Sequence, residues 1–178
     1  MTIEPVTTIF CAPELREQWR EDGTTLPGQW RQQYPRLFDD DDLKLAMGPQ
    51  RKHHFCEWFA AIHLYHRDCS RSLVEKYDTY ESHSLSHLSK GHRRKVEEYE
   101  RLVPEHQRET LHEICGTFRV QLPDLFVIAA DGVSFSFAEV KGPGDHTLNR
   151  KDQRESRDAI RTRLKIRVEV IAVRFVPD

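Results

Sequence analysis

Apolar residues follow a period of two in one part of this chain and a helical period in others. The runs Leu125 to Ala130 and Val133 to Ala138 are short, β-branched or aromatic, and are separated by Asp131-Gly132. Both residues of that dipeptide accept positive φ, so a β-hairpin closed by a two-residue type I′ turn is predicted. Ile166 to Phe175 alternates and then becomes continuously apolar, the pattern of a strand entering a sheet covered on both faces. Upstream, Phe55 to Arg67 carries apolar residues at helical spacing and predicts a helix ending near Asp68, followed by a strand within Ser70 to Lys76 centred on Leu73-Val74. Residues 82 to 103 are polar, with His92-Arg93-Arg94-Lys95 facing Glu97, Glu98 and Glu100 at spacings that support an exposed helix. A further helix is predicted from Pro104 to Phe118, leading toward Asp124. Residues 1 to about 50, with Pro5, Pro13, Pro27 and Pro35, read as an irregular extension that wraps the core or serves a dimer interface. The expected division is an extension over 1–50 and a domain over 51–178 with a helical insertion at about 82–118.

The hairpin carries chemistry. Side chains alternate along a strand, so Glu139 and Lys141 project to one face and Val140 to the other. Phe135 and Phe137 share the face of Glu139, and the alternation passes from aromatic residues into a glutamate without changing register. If Asp124 opens the first strand, two carboxylates meet beside an amine at one end of the hairpin. Hard cations such as Mg²⁺ are held by one or two carboxylates plus substrate phosphates. A lysine beside them supplies positive charge where a phosphodiester transition state becomes more negative. Taken singly, an Asp after proline is also an ordinary turn residue, and Glu-x-Lys is also an ordinary solvated pair.

The segments Pro123-Asp124-Leu125-Phe126-Val127 and Phe137-Ala138-Glu139-Val140-Lys141-Gly142-Pro143-Gly144-Asp145, with Gln153 downstream, resemble the VRR-NUC domain of the PD-(D/E)xK nuclease superfamily. The likeness runs from residue 123 to about 174. It implies an α/β fold with a restriction endonuclease-like core, a mixed central β-sheet flanked by helices, and Mg²⁺- or Mn²⁺-dependent cleavage of DNA, often at branched structures. Carried over by position, Asp124 and Glu139 become metal ligands and Lys141 the catalytic lysine, with the backbone carbonyl of Val140 completing the coordination. Gln153 falls at the start of the helix after the hairpin and is expected to contact DNA there. The family usually places an aromatic three residues later, where this chain has Ser156, which puts that helix's packing or DNA contact in question.

A third acid is expected from the helix before the sheet. Ala60, Ala61 and Leu64 follow Glu57 at helical spacing, so Glu57 lies on an apolar stripe where a carboxylate is costly unless it is paired or binds a metal. An acid at that place also resembles the superfamily; a first-turn acid favoured by the helix dipole is the plainer alternative. Glu113 on the helix leading to Asp124 is its rival.

Net charge is -2, so any nucleic-acid affinity must be local. Arg150, Arg154, Arg157 and Arg161 are spaced to align as one helical ridge able to follow a phosphate backbone, although Asp152, Glu155 and Asp158 interleave as they would on a solvated face. The four cysteines are scattered without a Cys-x-x-Cys and are expected to be reduced and partly buried. Among ten histidines, the pairs His63/His66 and His83/His87, with His112/Cys115, have ligand spacing, yet no four ligands form the pair-of-pairs of a zinc site. The amino terminus lacks the basic start and apolar run of a secretory signal, and a cytoplasmic, nucleoid-associated protein is expected. The reading is a DNA endonuclease acting on branched, flap or junction DNA in repair or recombination. A homodimer would offer two sites to a branch. The alternatives are a silent DNA-binding module, a defence-type double-strand nuclease and a zinc-stabilised interaction protein.

Overall fold

The computed structural model describes residues 6–49, 54–74, 76–78, 89–144 and 150–176. Five strands form one mixed sheet in the order β1-β5-β4-β3-β2: β1 (Val6–Cys11), β2 (Arg71–Val74), β3 (Leu125–Ile128), β4 (Phe135–Lys141) and β5 (Val168–Phe175). β5 runs parallel to both β1 and β4, while β3 is antiparallel to β4 and to β2. The interior position of β5, paired on both sides, explains its continuous apolar run: Val170, Ile171, Ala172 and Val173 are all buried.

Each face of the sheet carries its own core. On one face, Leu125, Val127, Ala138, Val140 and Ile171 pack with α1 (Pro13–Arg20), α2 (Leu26–Gln33), α3 (Asp40–Ala46) and α4 (Phe55–Asp68). On the other, Phe126, Ile128, Phe137 and Val168 pack with α5 (Lys90–Leu102), α6 (Glu105–Phe118) and the end of α7 (Lys151–Ala159). The expected α/β architecture, a mixed sheet flanked by helices, is present. Among the described residues, no helix is long and apolar enough to cross a membrane.

Three local expectations change. Over residues 6–49 the extension is regular: it supplies an edge strand and three helices. Two of its prolines, Pro13 and Pro27, begin helices instead of breaking them, because they sit in the first turn, where a missing N–H costs nothing. Trp19 then packs edge-on against Phe55 and Trp58 of the main core, and Trp30 packs at a tilt against Phe55.

The hairpin is real, but its turn is longer than two residues. The ladder closes at Ala129 N–H to the Ser134 carbonyl, 2.9 Å, and Gly132 donates to the Ala129 carbonyl at 3.0 Å. A type I′ turn needs positive φ at both central residues, and here only Gly132 has it (φ 72). Asp131 instead uses its carboxylate to accept from the Val133 and Ser134 amides, which stabilises the longer loop.

The helix after the hairpin does not stay α-helical. It passes into a π-helical turn over Ile160–Leu164, so spacings read on a 3.6-residue period fail there. The predicted helix over 82–103 is present as α5; residues 82–88 lie outside the described residues.

Asp39 to Asp42 serve the fold. Asp39 and Asp42 form a capping box on α3, and Asp41 accepts the Gly91 amide at the start of α5. Asp42 and Lys95, 3% and 1% exposed, form a buried ion pair that ties α3 to α5. Lys95 also donates to the Val74 carbonyl at 2.8 Å, so its buried charge has two acceptors.

Candidate active site

The site lies where β3 begins and β4 ends. In the ladder Leu125 faces Ala138, and one further antiparallel step sets Asp124 opposite Glu139. Asp124 Oδ2 accepts the Val140 amide at 2.7 Å, which fixes the carboxylate to the strand that carries the other two residues. Glu139 and Lys141 share a side of β4 as the alternation requires, and Lys141 Nζ lies 2.6 Å from Glu139 Oε1. The same amine donates to Gln153 Oε1 at 3.0 Å. Gln153 comes from the first turn of α7, so α7 is docked onto the hairpin through the lysine. Lys141 is buried, and burying an ammonium is tolerable here because a carboxylate and an amide oxygen receive it.

A pocket of about 240 Å³ opens beside this group. Asp124, Glu139 and Gln153 line one part of it, and Arg119, Arg150 and Arg157 supply cations to its wall. Acids and guanidinium groups therefore border one small space, which suits a phosphate bound through a cation on one side and arginines on the other.

The predicted residues divide clearly. Asp124, Glu139, Lys141 and Gln153 are together, with Val140 contributing its amide to Asp124. Of the four arginines, Arg150 and Arg157 line the pocket, whereas Arg154 and Arg161 do not. Arg161 turns back within the π-helical segment to donate to the Val168 carbonyl at 2.6 Å and to Asp158 at 3.0 Å. Arg157 is only 2% exposed, so the continuous solvent-facing ridge expected from spacing does not form. Gln153, Ser156 and Arg157 instead share the face of α7 that closes the pocket.

Neither candidate for the third acid lines the pocket. Glu57 is in the first turn of α4, and α4 covers the face of Ala138 and Val140, while Glu139 and Lys141 project on the face of Phe137. Glu113 is exposed and pairs with Arg163 at 2.8 Å. Among the described residues, no three His, Cys, Asp or Glu side chains gather as a metal cluster. Three carboxylates line the pocket, Asp124 and Glu139 at the hairpin end and Asp152 on α7, and hard oxygen donors of this kind suit Mg²⁺ or Mn²⁺. His83 and His87 lie outside the described residues, and His112 pairs with Asp78 at 2.7 Å.

Two charged residues of the pocket wall, Arg119 and Asp152, do not stand out in the sequence as site residues. Arg119 ends α6 in a left-handed conformation (φ 54), a position usually signalled by Gly or Asn. Asp152 had the look of one charge among many on a solvated helix.

No protein-family model matches the chain, and no curated protein matches it. Among solved structures, the crystal structure of paFAN1 bound to 5′ flap DNA (2 nt, with a gap) aligns with a TM-score of 0.40 at 24% identity. The alignment covers 53% of this chain and 17% of that one. A likeness of that size carries no argument about activity.

Proposed function

We propose that the chain is a metal-dependent DNA nuclease that hydrolyses phosphodiester bonds, with Asp124 and Glu139 as ligands of Mg²⁺ or Mn²⁺ and Lys141 as the catalytic lysine. The observation that carries this reading is the Lys141 amine held between Glu139 and Gln153 on the strand that also anchors Asp124. The likeness of the Glu139 to Asp145 string to the VRR-NUC motif supports it.

When bound, the metal supplies Lewis acidity to the phosphate and lowers the pKa of an attacking water. The protein's own groups do the rest. Asp124 and Glu139 present hard oxygen donors side by side. Lys141 places an ammonium donor where the phosphoryl oxygens gain charge, and Gln153 fixes its direction. Arg150 and Arg157 bring cations to the phosphates entering the pocket, with Arg119 beside them. Branched DNA, whether flap or junction, is the substrate class of this reading, and two copies of the chain would present two such sites to it.

The test is cleavage of labelled duplex, flap and four-way-junction DNA with Mg²⁺ or Mn²⁺, comparing the natural chain with Asp124→Ala and Lys141→Ala. Each change is expected to lower the rate by about 10²–10³-fold or more. Cutting that survives both would refute the site. Metal-independent binding of DNA without cutting would establish the silent binding module in its place.

A further inference from the structure

The ends of Asp124 are held by different means. Its carboxylate is fixed by the Val140 amide. Its backbone is fixed by a residue 46 positions before Pro123 in the chain: the Tyr77 hydroxyl donates to the Pro123 carbonyl at 2.5 Å. A peptide unit is planar, so holding the carbonyl of Pro123 also holds the nitrogen of Asp124. Proline's φ is closed by its ring, and the remaining freedom of that unit is the ψ that the hydroxyl restrains.

Tyr77 is built into the core to do this. It is 3% exposed, and its ring packs on Tyr99, Phe126 and Phe137, with centroids 5.3, 5.6 and 6.3 Å away. Phe126 lies on β3, which Asp124 immediately precedes, and Phe137 on β4, which carries Glu139, and both rings are on the same face of the sheet as those acids. The next residue, Asp78, is tied to His112 of α6 at 2.7 Å, which secures the segment bearing the tyrosine. Burial also pushes the phenol well above its ordinary value, so the hydroxyl keeps its proton and remains a donor.

We propose that Tyr77 is a positioning residue for Asp124, its hydroxyl setting the Pro123–Asp124 peptide and through it the place of the carboxylate beside Glu139. The proposal rests on the nuclease reading for its chemistry, but its central test is metal binding. Tyr99 provides an internal control. It is as buried as Tyr77 and packs in the same aromatic cluster, yet its hydroxyl has no hydrogen-bond partner among the described residues.

The experiment titrates Mn²⁺ by electron paramagnetic resonance without DNA, and titrates flap-DNA cleavage against metal concentration, for the natural chain, Tyr77→Phe, Tyr99→Phe and Asp124→Asn. Thermal unfolding is recorded for each. Tyr77→Phe is expected to weaken Mn²⁺ binding and raise the metal concentration for half-maximal cleavage by about 10-fold, as loss of groups supporting metal ligands does. Tyr99→Phe should leave both values unchanged. Metal titrations of Tyr77→Phe that match the natural chain overturn the proposal while leaving the nuclease reading intact, and so does an equal weakening in Tyr99→Phe. A chain that never cuts, but whose Mn²⁺ binding falls in both Asp124→Asn and Tyr77→Phe, supports the positioning role and overturns the nuclease reading. A chain that neither binds Mn²⁺ nor cuts overturns both.

Discussion

Gln153 is the residue whose meaning changed most between sequence and structure. In the sequence it marks the start of a helix; in the fold it is an acceptor for Lys141 at 3.0 Å. Gln153→Ala should lower cleavage about 10-fold or more while shifting the melting temperature by no more than a few degrees, because a partly buried hydrogen bond contributes only about 1 kcal/mol to stability. Comparing single-turnover rates with unfolding curves checks this split. The cysteines offer a second prediction at this scale. Burial pushes the Cys56 and Cys115 thiols up to about 12 and also raises Cys11, whereas Cys69 is exposed. The thiolate is the reactive form. At pH 8 the native chain should therefore show one fast thiol toward a disulfide reagent, Cys69, and four after denaturation.

Elements are joined by a small number of charged clamps. Glu169 on β5 accepts Thr7 Oγ1 of β1 at 2.7 Å and both Arg67 guanidinium nitrogens at the end of α4, 2.7 and 2.9 Å. Arg71 of β2 makes the corresponding bidentate pair with Glu98 of α5. These hydrogen bonds to arginine hold both carboxyls below the usual glutamate range. The sign follows from linkage: a carboxyl whose folded pKa is depressed contributes stability that is complete above the unfolded value, near 4.5, and is lost as pH falls through the depressed one. Glu169→Gln should lower stability at pH 7 by about 1–3 kcal/mol. It should also flatten the fall in melting temperature below pH 4.5. Thermal unfolding from pH 3 to 7 measures both effects. Gly91→Ala tests a different junction. A Cβ there would collide with the Asp41 carboxylate that caps α5, and a loss of about 1–2 kcal/mol is expected in urea unfolding.

At the scale of the molecule, the first fifty residues are structural where they are described. Trp19 is fully buried and touches Trp30, Phe55 and Trp58, joining α1, α2 and α4 in one aromatic core. Trp19→Ala should cost about 3–5 kcal/mol, the magnitude of a large cavity in a core, although Trp19 does not line the pocket. Urea unfolding followed by far-UV circular dichroism checks it. If the extension were a loosely attached wrapper, the same change would cost less than about 1 kcal/mol, as it does at sites that make no core.

What the sequence determined by itself was local and periodic. Strand alternation is a property of the backbone, so Glu139 and Lys141 on one side, Phe137 with them and Val140 opposite were legible without any tertiary contact. So were the hairpin's two strands, a covered strand within Ile166 to Phe175 and the helices expected over Phe55 to Arg67 and Pro104 to Phe118. What only the tertiary structure decided was which face each helix covers and what its side chains then meet. α4 packs on the Val140 face, which keeps Glu57 out of the pocket, and α7 docks through Gln153, which buries Arg157 and brings Arg150 to the rim. A helical wheel gives the stripe but not the sheet face that receives it, because that choice is made by contacts distant in sequence. The same holds for Tyr77, whose hydroxyl meets the Pro123 carbonyl only once β2, β3 and the aromatic core have come together.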